Sequence, residues 1–195
     1  MSEAAQDESQ ERAAAALRTL LGARSIALVG MPGSGKSSIG RRLAPRLGLP
    51  FIDADAEIEK AAGMPISEIF AKHGESYFRD GEARVIARLL DDGPSVIATG
   101  GGALMNPNTR ALVRERAIAV WLKAEIPVLM RRVRRKSDRP LLKGKDPEAA
   151  LQKLLSEREP VYAEADIVVA SREGPHDVVV DAIVSELQQR LEARQ

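Results

Sequence analysis

Gly30-Met31-Pro32-Gly33-Ser34-Gly35-Lys36-Ser37 decides how this chain is read. It satisfies G-x-x-x-x-G-K-[ST], the spacing of a phosphate-binding loop. Glycines let successive backbone N–H groups turn inward and form a concave anion nest. Lys36 can reach the outer phosphates of a nucleotide, and the Ser37 hydroxyl is a hard oxygen ligand for Mg²⁺. The helix expected next adds the positive end of its dipole. Gly33, Ser34, Gly35, Lys36, Ser37 and Ser38 are therefore the candidate ATP-binding residues of this segment.

The neighbouring sequence supplies the setting that the motif needs. Ser25-Ile26-Ala27-Leu28-Val29 reads as a short buried strand, and Ile39, Leu43 and Leu47 recur at helical spacing. An ordinary glycine-rich turn would not require strand, loop and helix in this order.

Composition narrows the class. The chain has 195 residues, enough for one α/β domain with a sizeable core. Apolar residues make up 44% and charged residues 29%, as in globular proteins generally. A net charge of +1 provides no global field for nucleic acid or an anionic membrane, and 3% aromatics argue against base-stacking platforms. With no cysteine, disulfides, thiolate metal sites and a Cys nucleophile are excluded. This suits a reducing compartment, and a cytoplasmic location is expected. No apolar run approaches the roughly 20 residues of a membrane span.

Outward from the loop, the chain alternates strands and helices. Residues 1–23 are read as an extension. Its first ten or so residues are expected to be disordered and Glu11 to Leu21 helical, with Ala15, Leu17, Leu20 and Leu21 near one face. It lacks the pattern of a secretory signal, and Glu3, Asp7, Glu8 and Glu11 speak against a transit peptide. Residues 24–195 are read as a single domain. Pro45 should kink or shorten the first helix after the loop. Phe51-Ile52-Asp53-Ala54-Asp55 reads as a second strand ending in two carboxylates. Ala56 to Ala62 and a short helix from Ile66 follow, then a turn at Gly74 and a helical run to Leu90. Ser95 to Thr99 is a third strand running into Gly100-Gly101-Gly102, where backbone can approach a ligand closely. Ile118 to Leu122 and Ala165 to Val169 are strands four and five. Helices are expected over Thr109 to Arg116, Ile126 to Val133, Pro147 to Ala163 (broken near Pro160) and Val178 to Leu191. The alternation predicts an α/β fold with a doubly wound, parallel, five-stranded sheet.

Phosphoryl transfer is mostly positioning and charge stabilisation. Ser37 and Asp53 are the candidate metal ligands, Asp53 directly or through water. On extended chain, Asp53 and Asp55 point the same way, which leaves Asp55 to accept a hydrogen bond from an acceptor hydroxyl and serve as base. Helix N-capping is the plainer alternative for both. Arg79, Arg139 and Arg158 could clamp an anionic acceptor or phosphate in a bidentate manner, or lie on a solvated surface. Spacing alone does not bring them together.

The combination resembles the shikimate kinase family from about Arg24 to Leu191. The resemblance is carried by the loop itself, Phe51-Ile-Asp-Ala-Asp55, Gly74-Glu-Ser-Tyr-Phe-Arg79 with Glu82, Thr99-Gly-Gly-Gly102, Arg139-Pro-Leu-Leu142 and Arg158-Glu-Pro-Val-Tyr162. It implies a P-loop, nucleoside-monophosphate-kinase-like architecture with a mobile lid. It also implies ATP-dependent phosphorylation of shikimate to shikimate 3-phosphate and ADP, in the chorismate and aromatic amino-acid pathway. ATP is the implied co-substrate, Mg²⁺ the cofactor, and a monomer the expected state. By position, Asp55 would bind shikimate hydroxyls and assist deprotonation, with Lys36 and Arg139 completing the catalytic set. Arg79 and Arg158 would hold the carboxylate, and Gly101 and Gly102 would present backbone to the substrate. Arg139 would lie on a lid over the ATP phosphates, within the basic segment from Arg134 to Asp146. Arg132, Arg172 and Pro175 would line the adenine. A gluconate kinase, a nucleoside monophosphate kinase and a non-catalytic nucleotide switch are the competing readings. The paired Asp53/Asp55 and Phe78-Arg79 signatures weigh against the first. Thr99-Gly-Gly-Gly102, in place of a Gly-aromatic-Pro-Arg segment, weighs against the second, and intact Lys36, Ser37, Asp53 and Asp55 weigh against the third.

Overall fold

The structure, a computed structural model, describes residues 3–134 and 146–193, with side chains from residue 11 on except that of Arg134. Short apolar runs make the strands, and the three in the middle of the sheet are buried on both faces. Strands β1 (Ser25–Val29), β2 (Phe51–Asp53), β3 (Val96–Ala98), β4 (Ala117–Lys123) and β5 (Ile167–Ala170) form one sheet, all pairs parallel, in the order β2-β3-β1-β4-β5. The expected five-stranded, doubly wound sheet is thus present.

Alternate residues feed two cores. Ala27, Val29, Ile97, Ala119 and Trp121 face one layer, which holds α3 (Ala54–Ala62), α4 (Ile66–Asp91), α5 (Pro107–Arg116), α6 (Ile126–Arg134) and α7 (Pro147–Tyr162). Ile26, Leu28, Val96, Val120, Leu122 and Val169 face the other, which holds α1 (Glu3–Leu21), α2 (Lys36–Leu47) and α8 (His176–Glu192). Period-two alternation on strands buried from both sides is what a parallel sheet between helical layers requires. Because all the strands run parallel, the loops after β1, β2 and β3 leave from the same edge of the sheet. In such folds that edge is the ligand crevice.

Several local expectations are corrected. Helix α1 begins at Glu3, in place of the expected disorder and the expected start at Glu11. No glycine or proline interrupts the run of good helix formers before Gly22, whose φ of 62° ends it. Leu17 and Leu21 are buried against the α2 and α8 side of the sheet. Pro45 does not shorten α2, which continues to Leu47 and is closed by Gly48 in the left-handed conformation. Pro160 likewise sits inside an uninterrupted α7. Both prolines lie near helix C-termini, where one lost bond is set against the capping of the last turn. The two helices expected on either side of Gly74 are present within the span of α4, which breaks at that residue (φ 81°, ψ 176°); the second one starts earlier than expected and already includes Arg79. Among the described residues no helix is long and apolar enough to cross a membrane.

Candidate active site

The loop leaves β1 and enters α2 at Lys36, with Gly33 and Gly35 at φ 88° and 98°. Those angles belong to the left-handed region, which glycine enters without steric cost. Beneath the loop Ser34 is fully buried, and its carbonyl accepts from Ser171 Oγ at 2.7 Å. Lys36 Nζ donates to the carbonyls of Gly30 (2.8 Å) and Met31 (3.0 Å), so the cation stands over the nest. A cleft of about 310 Å³ opens here. Gly33, Gly35, Lys36, Ser37 and Ser38 line its phosphate end, and Asp53, Asp55, Thr99 and Gly101 its far wall.

Asp53 ends β2 and caps α3, with one carboxylate oxygen accepting from the Asp55 N–H at 3.2 Å. The other oxygen accepts from Ser37 Oγ at 2.7 Å. The capping alternative therefore holds at Asp53, and it leaves the second carboxylate oxygen beside Ser37. Asp55 is corrected in its setting: it lies in the first turn of α3 rather than one pleat further along a strand. Both carboxylates still line the cleft. Ser37 and Asp53 offer two hard oxygens side by side, and the described residues contain no cluster of three or more His, Cys, Asp or Glu. That donor set suits Mg²⁺, which keeps waters and phosphate oxygens for most of its shell.

The loop Gly100-Gly101-Gly102 is where distant charges meet. A side-chain carbon on Gly102 would stand 2.7 Å from Arg79 nitrogens, and one on Gly101 would stand 3.2 Å from Arg158 Nη1. One on Gly100 would collide with the Glu82 carboxylate and lie 3.2 Å from Asp55 Oδ1. A side chain at any of these positions would press on the charged side-chain ends that meet there. Arg79 from α4 and Arg158 from α7 therefore converge beside Asp55, as the resemblance implied and spacing could not tell. Arg79 Nη1 donates to Glu82 Oε2 at 2.7 Å, its Nη2 donates to Glu75 Oε1 at 3.1 Å, and its guanidinium lies over the Phe78 ring. Arg158 is 6% exposed.

Electrostatics at this end are unequal. Burial pushes the Glu82 carboxyl above the usual carboxylate range; Arg79 and Arg158 pull it down, while Asp55 adds to the rise. Glu82 Oε1 is buried and has no hydrogen-bond partner among the described residues. Burial opposes the charge on Arg79, but Glu82 and then Glu75 outweigh it and hold the guanidinium ionised. Tyr162 donates its hydroxyl to the Gly101 carbonyl. Burial pushes that phenol up to about 12, with Arg158 pulling the other way, so it remains a donor at neutral pH.

The remaining candidates divide. Arg132 lines the cleft and stitches the loop to the segment after β5, donating to Ser171 Oγ at 2.9 Å and the Arg172 carbonyl at 2.7 Å. Arg172 and Pro175 stand outside the lining; Pro175 is the N-cap of α8, and His176 beside it faces the cleft. Arg139 and the expected lid lie outside the described residues. Sequence reasoning missed three groups as site residues: Glu82, Tyr162 and His176. Glu82 had a signal in its i,i+3 spacing from Arg79 on a helix. Tyr162, one helical turn after Arg158, had the same kind of signal. His176 had none. Burial and then Arg42 and Arg132 push its pKa below the ordinary histidine value, with Asp177 opposing.

Comparison with known proteins agrees with this geometry. The profile of the shikimate kinase family matches residues 32–188. A shikimate kinase of Bradyrhizobium diazoefficiens is 63% identical over 88% of this chain and 83% of its own. One of Nitrobacter winogradskyi is 61% identical over 88% of this chain and 80% of its own. Among solved structures, the shikimate kinase from Acinetobacter baumannii in complex with shikimate superposes with a TM-score of 0.85 at 35% identity, covering 89% of this chain and 98% of that one. With a phosphate-binding loop, two paired oxygens and two converging arginines on one cleft, and these relatives over most of its length, the chain belongs to the shikimate kinase family.

Proposed function

We propose that the protein transfers the terminal phosphoryl group of ATP to a hydroxyl of shikimate, giving shikimate 3-phosphate and ADP. The observation that carries this reading is the meeting of Arg79 and Arg158 at Gly101 and Gly102, across from Asp55. Two guanidinium groups beside a carboxylate base fit an acceptor with one carboxylate and neighbouring hydroxyls. Glu82 Oε1 adds support: a buried carboxylate oxygen without a partner is costly, and a hydroxylated acceptor relieves it.

The roles follow from position. Backbone N–H groups of Gly33, Gly35, Lys36, Ser37 and Ser38 cradle the phosphates, and Lys36 neutralises charge on the transferred group. Ser37 and Asp53 would hold Mg²⁺, which when bound would offset charge on the ATP phosphates. Asp55 accepts the proton of the attacking hydroxyl. Arg79 and Arg158 fix the carboxylate, so that the hydroxyl is presented to phosphorus and the encounter becomes effectively intramolecular. Tyr162 holds the Gly101 carbonyl and thereby sets the backbone of Gly101 and Gly102 toward the acceptor. Arg132, Arg172 and Pro175 flank the base, and Arg139 contributes its charge to the phosphates. Residues 24–195 are the catalytic domain and residues 1–23 an added extension. Since one chain supplies both walls of the cleft, a monomer suffices, and the lack of cysteine suits the cytoplasm.

A coupled ADP-release assay across shikimate, quinate, gluconate and nucleoside monophosphates tests the reading. Release driven by shikimate well above the rest is expected. Release driven by gluconate or a nucleotide, or by no acceptor, contradicts it.

A further inference from the structure

Away from the cleft, α1, α2 and the start of α8 enclose a groove of about 920 Å³. Among the described residues its lining carries Arg12, Arg18, Arg41, Arg42 and Arg46, against the two carboxylates Glu11 and Asp177. What orients these guanidinium groups matters. Arg18 Nη1 donates to the Leu47 carbonyl at 3.2 Å, and Arg42 Nη1 donates to the Ser38 carbonyl at 2.9 Å. Arg41 lies 5.0 Å above the Phe51 ring centre. These partners are neutral, so they fix the groups without cancelling their charge. Arg46 is different, being paired with Asp181 at 2.9 Å. Arg42 and Arg46 stand four residues apart on α2, a like-charge spacing that costs free energy unless an anion lies between.

The groove shares no lining residue with the nucleotide cleft, yet the two are separated by very little. Ser38 lines the cleft and its carbonyl anchors Arg42, while His176 faces the cleft and Asp177 the groove.

We propose that this groove is a second anion site that takes a small multivalent phosphate oxyanion, such as a linear inorganic polyphosphate or a multiply phosphorylated metabolite. Guanidinium forks match phosphate oxygens in a bidentate manner, and the groove is larger than one phosphate needs. The α1 helix is part of it: Arg12 and Arg18 come from that element, so the N-terminal extension acquires a binding role.

Inorganic tripolyphosphate is the probe. It is titrated calorimetrically into the full chain saturated with Mg²⁺ and a non-hydrolysable ATP analogue, so that the cleft is filled, at about 150 mM salt, where weak surface attraction is screened. One equivalent should bind. Arg41→Gln with Arg42→Gln should weaken that binding at least about tenfold, since two charge-assisted contacts are lost. Arg88→Gln with Arg114→Gln, which removes the same charge from exposed ion pairs elsewhere, should change it less than about twofold. Melting curves of both double variants should match that of the parent, because all four arginines are at the surface. No binding to the loaded protein, or equal weakening by the two double variants, overturns the proposal.

Discussion

The phosphate end of the cleft is made from contiguous chain held by backbone and by one hydroxyl–carboxylate pair. The acceptor end is gathered from α4, the loop after β3 and α7, and it buries charge. The first is a local device: a strand, a turn rich in glycine and a helix N-terminus would cradle phosphate in many folds. The second exists only when the fold is complete, because Arg79 and Arg158 meet through the packing of separate helices on the sheet. It follows that substitutions at the acceptor end should separate acceptor binding from nucleotide binding, and that some should affect stability and function in opposite directions.

The sharpest break in this comparison lies where the two ends touch. Asp55→Asn removes the proposed base and should lower kcat by about 10²–10⁴-fold. Nucleotide affinity, measured by titration with an ATP analogue, should stay within about threefold. Turnover like that of the parent would take Asp55 out of the chemistry.

Glu82→Gln comes next. The charge-assisted contact to Arg79 weakens, so the KM for shikimate should rise about tenfold while that for ATP holds. Stability should go the other way. The Glu82 carboxyl is raised in the folded state, so its favourable contribution is full below the unfolded carboxyl range and is lost as pH rises through the folded value. Glutamine keeps the uncharged form at every pH. The melting temperature of the variant relative to the parent should therefore climb between about pH 4 and pH 7. A difference that shrinks over that interval would mean that attraction to Arg79 outweighs burial.

Tyr162→Phe should have the smallest effect of the three. It leaves the part-buried Gly101 carbonyl without its donor, costing about 1–2 kcal/mol of stability in thermal melts and a few-fold in shikimate KM. Because the phenol titrates only near 12, the pH profile of kcat between about 6 and 9 should be the same in parent and variant. A vanished alkaline limb in the variant would show that Tyr162 itself titrates during turnover.

The same contrast governs what could be read before folding. The nucleotide loop, its strand and its helix were legible because all their determinants lie in one contiguous stretch from Ser25 to Leu47. Asp53 and Asp55 were found by position at a strand end, but the expected shared strand face failed. The Asp53 carboxylate caps a helix at once and turns Asp55 onto its first turn. Pro45 and Pro160 were read as breakers because sequence shows the missing N–H and not the capping around it, such as Gly48 returning its N–H to the end of α2. The meeting of Arg79 with Arg158 is a property of helix packing, so local pattern carried no trace of it and the family resemblance supplied it. Glu82 escaped the candidate list because a helical i,i+3 pair looks like any surface pair until burial is known. His176 lay one residue beyond the expected base-flanking segment, and only the folded loop turns it inward.

The most direct test of the converging-arginine account is the pair of KM values for Arg158→Ala. Removing one partner of a desolvated charge contact costs on the order of 2–5 kcal/mol. The KM for shikimate should therefore rise by about 30-fold or more, while the KM for ATP moves less than about threefold. Equal shifts in both, with the fold intact by circular dichroism, would contradict the account.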